Sequence, residues 1–135
     1  MPELYELIYT STLADAAQPS CVADIVRTAR NYNGLHDVSG VLIFDGANFC
    51  QYLEGPDAAV LTLIARIAMD TRHTDFSIKH QGAFQSERRF ATWSMAYALD
   101  EDGAVLQKLL GTEGPEISPL LVQSIPHLDM EFGTH

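Results

Sequence analysis

The chain has 135 residues, 47% of them apolar and 19% charged, which is enough apolar material for one domain with a real core and too much for a disordered segment. Its formal net charge of −10, from 8 basic and 18 acidic side chains, argues against nucleic acid as a partner, because binding through phosphates needs a basic face. No apolar run approaches a membrane span, the opening Met-Pro-Glu-Leu lacks a basic-then-apolar leader, and Cys21 and Cys50 are too few and too far apart for a disulfide framework or a metal site, so a cytoplasmic protein without a metal is expected.

Leu4 to Thr10 reads as a strand, with Tyr5, Leu7 and Tyr9 on one face and Leu4, Glu6 and Ile8 on the other. Val22, Ile25, Val26, Ala29 and Asn33 recur at helical spacing, and Gly34 stands where that helix is expected to end. Val38 to Phe44 and Asn48 to Glu54 are strand-like runs joined by Asp45-Gly46-Ala47, a hairpin signal. In the second of these runs Phe49, Gln51 and Leu53 share a face, which places a long amide inside a buried strand. Gly55-Pro56 breaks it. Val60, Leu63, Ile64 and Ile67 form the stripe of a second helix ending near Asp70, and Arg66 and Asp70, four apart, are expected side by side. Phe76 to Ala83 and Thr92 to Leu99 complete the strands, the last with Trp93, Met95 and Tyr97 on one face.

The order β-α-β-β-α-β-β with right-handed crossovers predicts an α+β, ferredoxin-like sandwich with both helices on one face of the sheet. The tail, with Val105, Leu106, Leu109 and Leu110, then Ile117, Leu120, Leu121 and Ile125, predicts two short helices over the other face. The organisation expected is residues 1–100 as the ligand-binding unit and 101–135 as a helical extension packed on the sheet.

Taken singly, the polar residues have plain structural readings: Tyr9 a core aromatic, Asn33 a helix terminator, Arg66 and Asp70 a solvated pair, Trp93 and Met95 ordinary packing. In the predicted fold they converge. Tyr9 and Gln51 share the helix-covered face, Asn33 closes one helix, and Arg66 and Asp70 flank the other, so a planar heterocycle between the helices would meet amides, a phenol and a charged pair. Arg72 and His73 follow the second helix, where a ribityl chain or phosphate would lie.

Five segments in order, Leu7-Ile-Tyr-Thr-Ser11, Ala29-Arg-Asn-Tyr-Asn33 with Asp37-Val-Ser-Gly-Val-Leu42, Phe49-Cys-Gln-Tyr-Leu-Glu-Gly-Pro56, Arg66-Ile-Ala-Met-Asp-Thr-Arg-His73 and Arg89-Phe-Ala-Thr-Trp-Ser-Met95, resemble the BLUF domains, blue-light sensors using flavin, over about the first 100 residues. The resemblance implies a noncovalent flavin, expected to be FAD, with FMN or riboflavin as the other forms. It implies that Tyr9 donates an electron to the excited flavin, that Gln51 bridges phenol and ring, and that Trp93 and Met95 relay the change. It places Asn33, Arg66 and Asp70 on the ring, with Arg72, His73 and Tyr32 among the cofactor contacts. Asp37 replaces the family's usual Gly, Ser39 its usual Thr, and Tyr32 stands where Asn or His is common. The expected function is a photoreceptor and not an enzyme, signalling to a protein in trans because no output enzyme follows residue 100, and self-associating as a dimer or larger oligomer. A small ferredoxin-like hydrolase, a flavin redox enzyme and a pure interaction module are the competing readings. The hydrolase lacks a glycine-rich phosphate loop in Thr10 to Pro19.

Overall fold

The computed structural model describes residues 4–84, 87–91 and 94–131. Strands β1 (Leu4–Leu13), β2 (Ser39–Phe44), β3 (Asn48–Gly55), β4 (His73–Phe84), β5 (Ala96–Leu99) and β6 (Asp129–Glu131) form one sheet in the order β4-β1-β3-β2-β5-β6. The neighbouring pairs are antiparallel except β2 with β5, which run parallel. Helices α1 (Cys21–His36) and α2 (Asp57–Ala68) cover one face, where Leu7, Tyr9, Leu42, Phe49 and Leu53 meet Val22, Val26, Val60, Leu63 and Ile64. On the opposite face Ile8, Val41, Ile43, Cys50 and Tyr52 pack under Leu106 and Leu109 of α3 (Ala104–Leu110) and Ile117 and Leu121 of α4 (Ile117–Ser124). The ferredoxin-like sandwich with a helical tail over its second face is thus present, and the alternation of β1 and β3 sorts their side chains onto the expected faces.

Four expectations are corrected. Helix α1 passes through Gly34 and stops at Asp37, which adopts the left-handed conformation at φ 60° and ψ 38°. The Val38 N–H then reaches back to the Asn33 carbonyl at 3.0 Å. A left-handed residue is one common way to end a helix, and Asp tolerates that conformation better than most non-glycine residues. Helix α2 ends at Ala68, short of Asp70. The last long strand begins at Ala96 and not at Thr92, because the carbonyls of Ser94 and Met95 are taken by the side chains of Asn33 (2.6 Å) and Arg30 (2.9 Å) and so do not join a ladder. Met95 therefore precedes the strand, and Trp93 and Thr92 lie outside the described residues. Finally, β6 adds a sixth strand of three residues, too short to carry an alternating pattern.

The β2–β3 pairing depends on one absent side chain. A Cβ on Gly40 would lie 1.9 Å from the Tyr52 carbonyl oxygen, a backbone atom that cannot turn aside. Gly40→Ala should therefore cost about 2–3 kcal/mol of stability, read as a lowered denaturant midpoint, whereas Gly34→Ala, with nothing within 4 Å of its Cβ, should leave the midpoint unchanged or raise it.

Candidate functional site

Tyr9 on β1 and Gln51 on β3 are direct cross-strand partners, so their side chains emerge together beneath the two helices. The Tyr9 hydroxyl donates to Gln51 Oε1 at 2.6 Å, and Gln51 Nε2 points to the Met95 sulfur at 3.5 Å. All three side chains are buried. Burial, reinforced by Cys50 and Asp70, pushes the Tyr9 phenol far above its ordinary range, which favours the protonated form. His73 and Phe76 pack their rings around it at 6.1 and 5.0 Å between centroids.

A cavity opens beside this pair, between α1, α2 and the sheet. Ile25, Ala29, Leu42, Phe49, Leu63 and Ile67 make its apolar walls, Tyr9 and Gln51 contribute polar atoms, and Tyr32, Arg66, Asp70, Arg72 and His73 complete the lining with Thr28. Positions 25, 28, 29 and 32 follow the 3.6-residue repeat of α1, a signal from which Thr28 was also legible. An apolar slot with an amide and a phenol among its walls and two guanidinium groups in its lining is the donor set for a flat heterocycle carrying a polar edge and an anionic or hydroxylated chain.

The polar residues are arranged differently from the simplest expectation. Asp70 is bonded not by Arg66 but by Arg72, which grips its carboxylate through Nε (2.9 and 3.1 Å) and Nη2 (2.5 Å). Because α2 stops at Ala68, the i,i+4 geometry that would join Arg66 to Asp70 is absent. The Arg72 hydrogen bonds hold the Asp70 carboxyl below the usual aspartate range despite partial burial. Arg66 instead lies 5.5 Å from the Tyr32 ring centroid, and Tyr32 donates to the Ala59 carbonyl at 3.2 Å.

Both His73 nitrogens are engaged. Nε2 must donate to the Ile67 carbonyl, which only accepts (2.7 Å), so Nδ1 takes the Ser11 hydroxyl proton at 2.7 Å in the neutral ring. The ring thus fastens β1 to the end of α2. Asn33 is fully buried and does not line the cavity. Its amide donates to the Ser94 carbonyl, and its Oδ1 has no partner among the described residues, a buried acceptor suited to a donor such as an imide N–H.

The family model for "Sensors of blue-light using FAD" matches residues 4–96. Among solved structures, the dark state of BlrB, a BLUF protein, superposes with a TM-score of 0.78 at 31% identity, covering 93% of this chain and 96% of that one. A photoactivated adenylate cyclase subunit beta of Euglena gracilis is 34% identical over 92 residues, 66% of this chain and 11% of that protein. The blue light- and temperature-regulated antirepressor BluF of Escherichia coli (strain K12) is 37% identical over 70 residues, 52% of this chain and 17% of that protein. The chain thus spans a small part of these curated relatives. With a model match over most of its length and a site built around a buried tyrosine and glutamine, this chain belongs to the BLUF family of flavin-based blue-light sensors.

Proposed function

We propose that this chain senses blue light through a noncovalent FAD held between α1 and α2, with Tyr9 and Gln51 as the photochemical pair. The observation that carries the reading is the 2.6 Å bond from a buried phenol to a buried amide at the cavity wall. When bound, the flavin absorbs blue light and becomes an oxidant for a nearby phenol. Tyr9 is the buried phenol of the lining whose proton is held by a side-chain amide, whereas Tyr32 donates to a backbone carbonyl. On losing an electron Tyr9 would release that proton along the bond to Gln51 Oε1, and when the electron returned its oxygen would take a proton back from the amide, leaving Gln51 rotated if that proton came from Oε1 or tautomerised if it came from Nε2. The hydrogen bond that Gln51 offers its neighbours then changes, which moves the absorption band to the red. Rotation also removes the Nε2 donor from the Met95 sulfur, so the segment leading into β5 feels the event.

Arg66, Asp70, Arg72 and Tyr32 of the lining hold the cofactor and His73 shapes the wall with its ring, while Asn33, outside the lining, contributes through its unpartnered buried Oδ1. A cavity that joins apolar walls (Ile25, Ala29, Leu42, Phe49, Leu63 and Ile67) to a few polar groups supports this reading over a hydrolase. Residues 1–100 act as the flavin-binding unit and 101–135 as the element that carries the signal outward, in a cytoplasmic oligomer acting on an effector protein.

The test is the visible spectrum of the purified protein before and after blue light, with the extracted flavin identified by chromatography. The expected result is bound FAD with a reversible red shift. A colourless protein would favour the hydrolase or a pure interaction module, and steady NADH oxidation a flavin redox enzyme.

A further inference from the structure

The face of the sheet away from the cavity contains two buried carboxylates that the photochemistry does not use. Glu6 of β1 and Glu54 of β3 are 5% and 0% exposed, and the hydroxyl of fully buried Tyr52 lies between them, 3.1 Å from Glu6 Oε1 and 3.0 Å from Glu54 Oε1. A phenol has one proton to donate, so at any moment it bonds one of these oxygens and not the other. The near-equal distances put both oxygens within hydrogen-bond reach of the same hydroxyl. Burial first, then the two neighbouring carboxylates, push the Tyr52 phenol far above its ordinary range, which favours the protonated form.

What each carboxylate holds is different. Glu54 accepts the backbone N–H groups of Arg89 and Phe90, both at 2.8 Å, and the Ser39 hydroxyl at 2.9 Å. It therefore holds residues 89 and 90, and a few positions further along the chain Ser94 and Met95 are fastened to Asn33, Arg30 and Gln51. Glu6 accepts the Ser118 hydroxyl of α4 at 3.2 Å and faces His80 Nε2 of β4 at 2.9 Å. Arg89 touches both, through its backbone on Glu54 and its guanidinium on Glu6 at 3.4 Å.

We infer that Tyr52 is a positioning residue whose hydroxyl moves between Glu6 and Glu54 and so couples the segment beside Gln51 to helix α4. When that segment is displaced, Glu54 loses backbone donors and draws the Tyr52 proton. Glu6 is then left to Arg89, His80 and Ser118, and its hold on α4 changes. The contacts that carry the coupling on the Glu54 side are those of residues 89 and 90, and on the Glu6 side those of Ser118 and His80. The inference rests on the Tyr9–Gln51 reading above for its trigger.

The test compares amide hydrogen exchange across residues 117–124 in the dark and under blue light, in the full chain loaded with flavin. One hydrogen bond changing partner is worth on the order of two- to tenfold in a local opening equilibrium, and that is the light-induced change expected for the wild type. Tyr52→Phe should keep the red shift, since the side chain lies on the other face, and lose the change in α4. Glu6→Gln, of the same shape but a weaker acceptor, should leave the proton on Glu54 in both states and lose the change too; it serves as the second variant if Tyr52→Phe fails to fold. A merely structural network would lower stability in either variant and leave the light-minus-dark difference at α4 intact, and that outcome in a folded variant overturns the inference. A wild type with a red shift and no change at α4 overturns it alone. A wild type with bound flavin and no red shift overturns the photochemical reading, and the inference with it.

Discussion

Tyr9→Phe should bind flavin as the native chain does and show no red shift after blue light. The ring keeps its place against Phe76 and His73, so the cavity keeps its shape, while the electron donor and its proton path to Gln51 are removed together. The deletion also leaves Gln51 Oε1 buried without that donor, which costs about 1–3 kcal/mol and should lower the unfolding midpoint of the variant in the dark. Gln51→Leu attacks the same bond from its other end, and both variants should be equally silent in a light-minus-dark difference spectrum. A red shift of native size in Tyr9→Phe would show that another residue serves as donor and would remove the central role from the β1–β3 pair.

The largest effect on stability should come from Glu54→Leu. Glu54 is fully buried and accepts from the Tyr52 and Ser39 hydroxyls and the Arg89 and Phe90 backbone N–H groups. Each buried donor left without an acceptor costs about 1–3 kcal/mol. Tyr52 retains Glu6 as an alternative, so the net loss should be about 3–5 kcal/mol, a large share of the 5–15 kcal/mol typical of a domain. Glu113→Ala is the matched control, because its contact with Lys79 at 3.4 Å is made by a side chain 77% exposed and should contribute less than about 1 kcal/mol. Chemical denaturation of the two variants measures both; similar midpoints would mean that the clamp on residues 89 and 90 contributes little to the fold.

The alternation in two short strands made most of the site legible in advance. Tyr9 with Leu7, and Gln51 with Phe49 and Leu53, could be assigned to one face from the period-2 pattern alone, and the pairing of β1 with β3 then makes them neighbours. Other features depended on where elements stop. Arg66 and Asp70 look like a helical pair only while the helix continues, and it ends two residues before Asp70. The bend at Ser94 and Met95 exists because side chains from α1 capture two carbonyls, a contact across more than 60 residues that no local pattern encodes. The network around Tyr52 was invisible for a related reason. Glu6 shares its strand face with the apolar Leu4 and Ile8, and only the fold brings His80 and Ser118, 74 and 112 residues away, into contact with it.

The two cysteines of the chain stand in opposite circumstances. Cys21 opens α1 and is half-buried, whereas Cys50 is sealed beneath the tail helices with its thiol pushed up to about 12 by burial. A maleimide dye should therefore label the folded protein at one position beside the mouth of α1 without any mutagenesis. Uptake of a second equivalent would count molecules whose sheet has come apart, so the unaltered chain contains both an attachment point for a fluorophore and an internal gauge of its own denaturation.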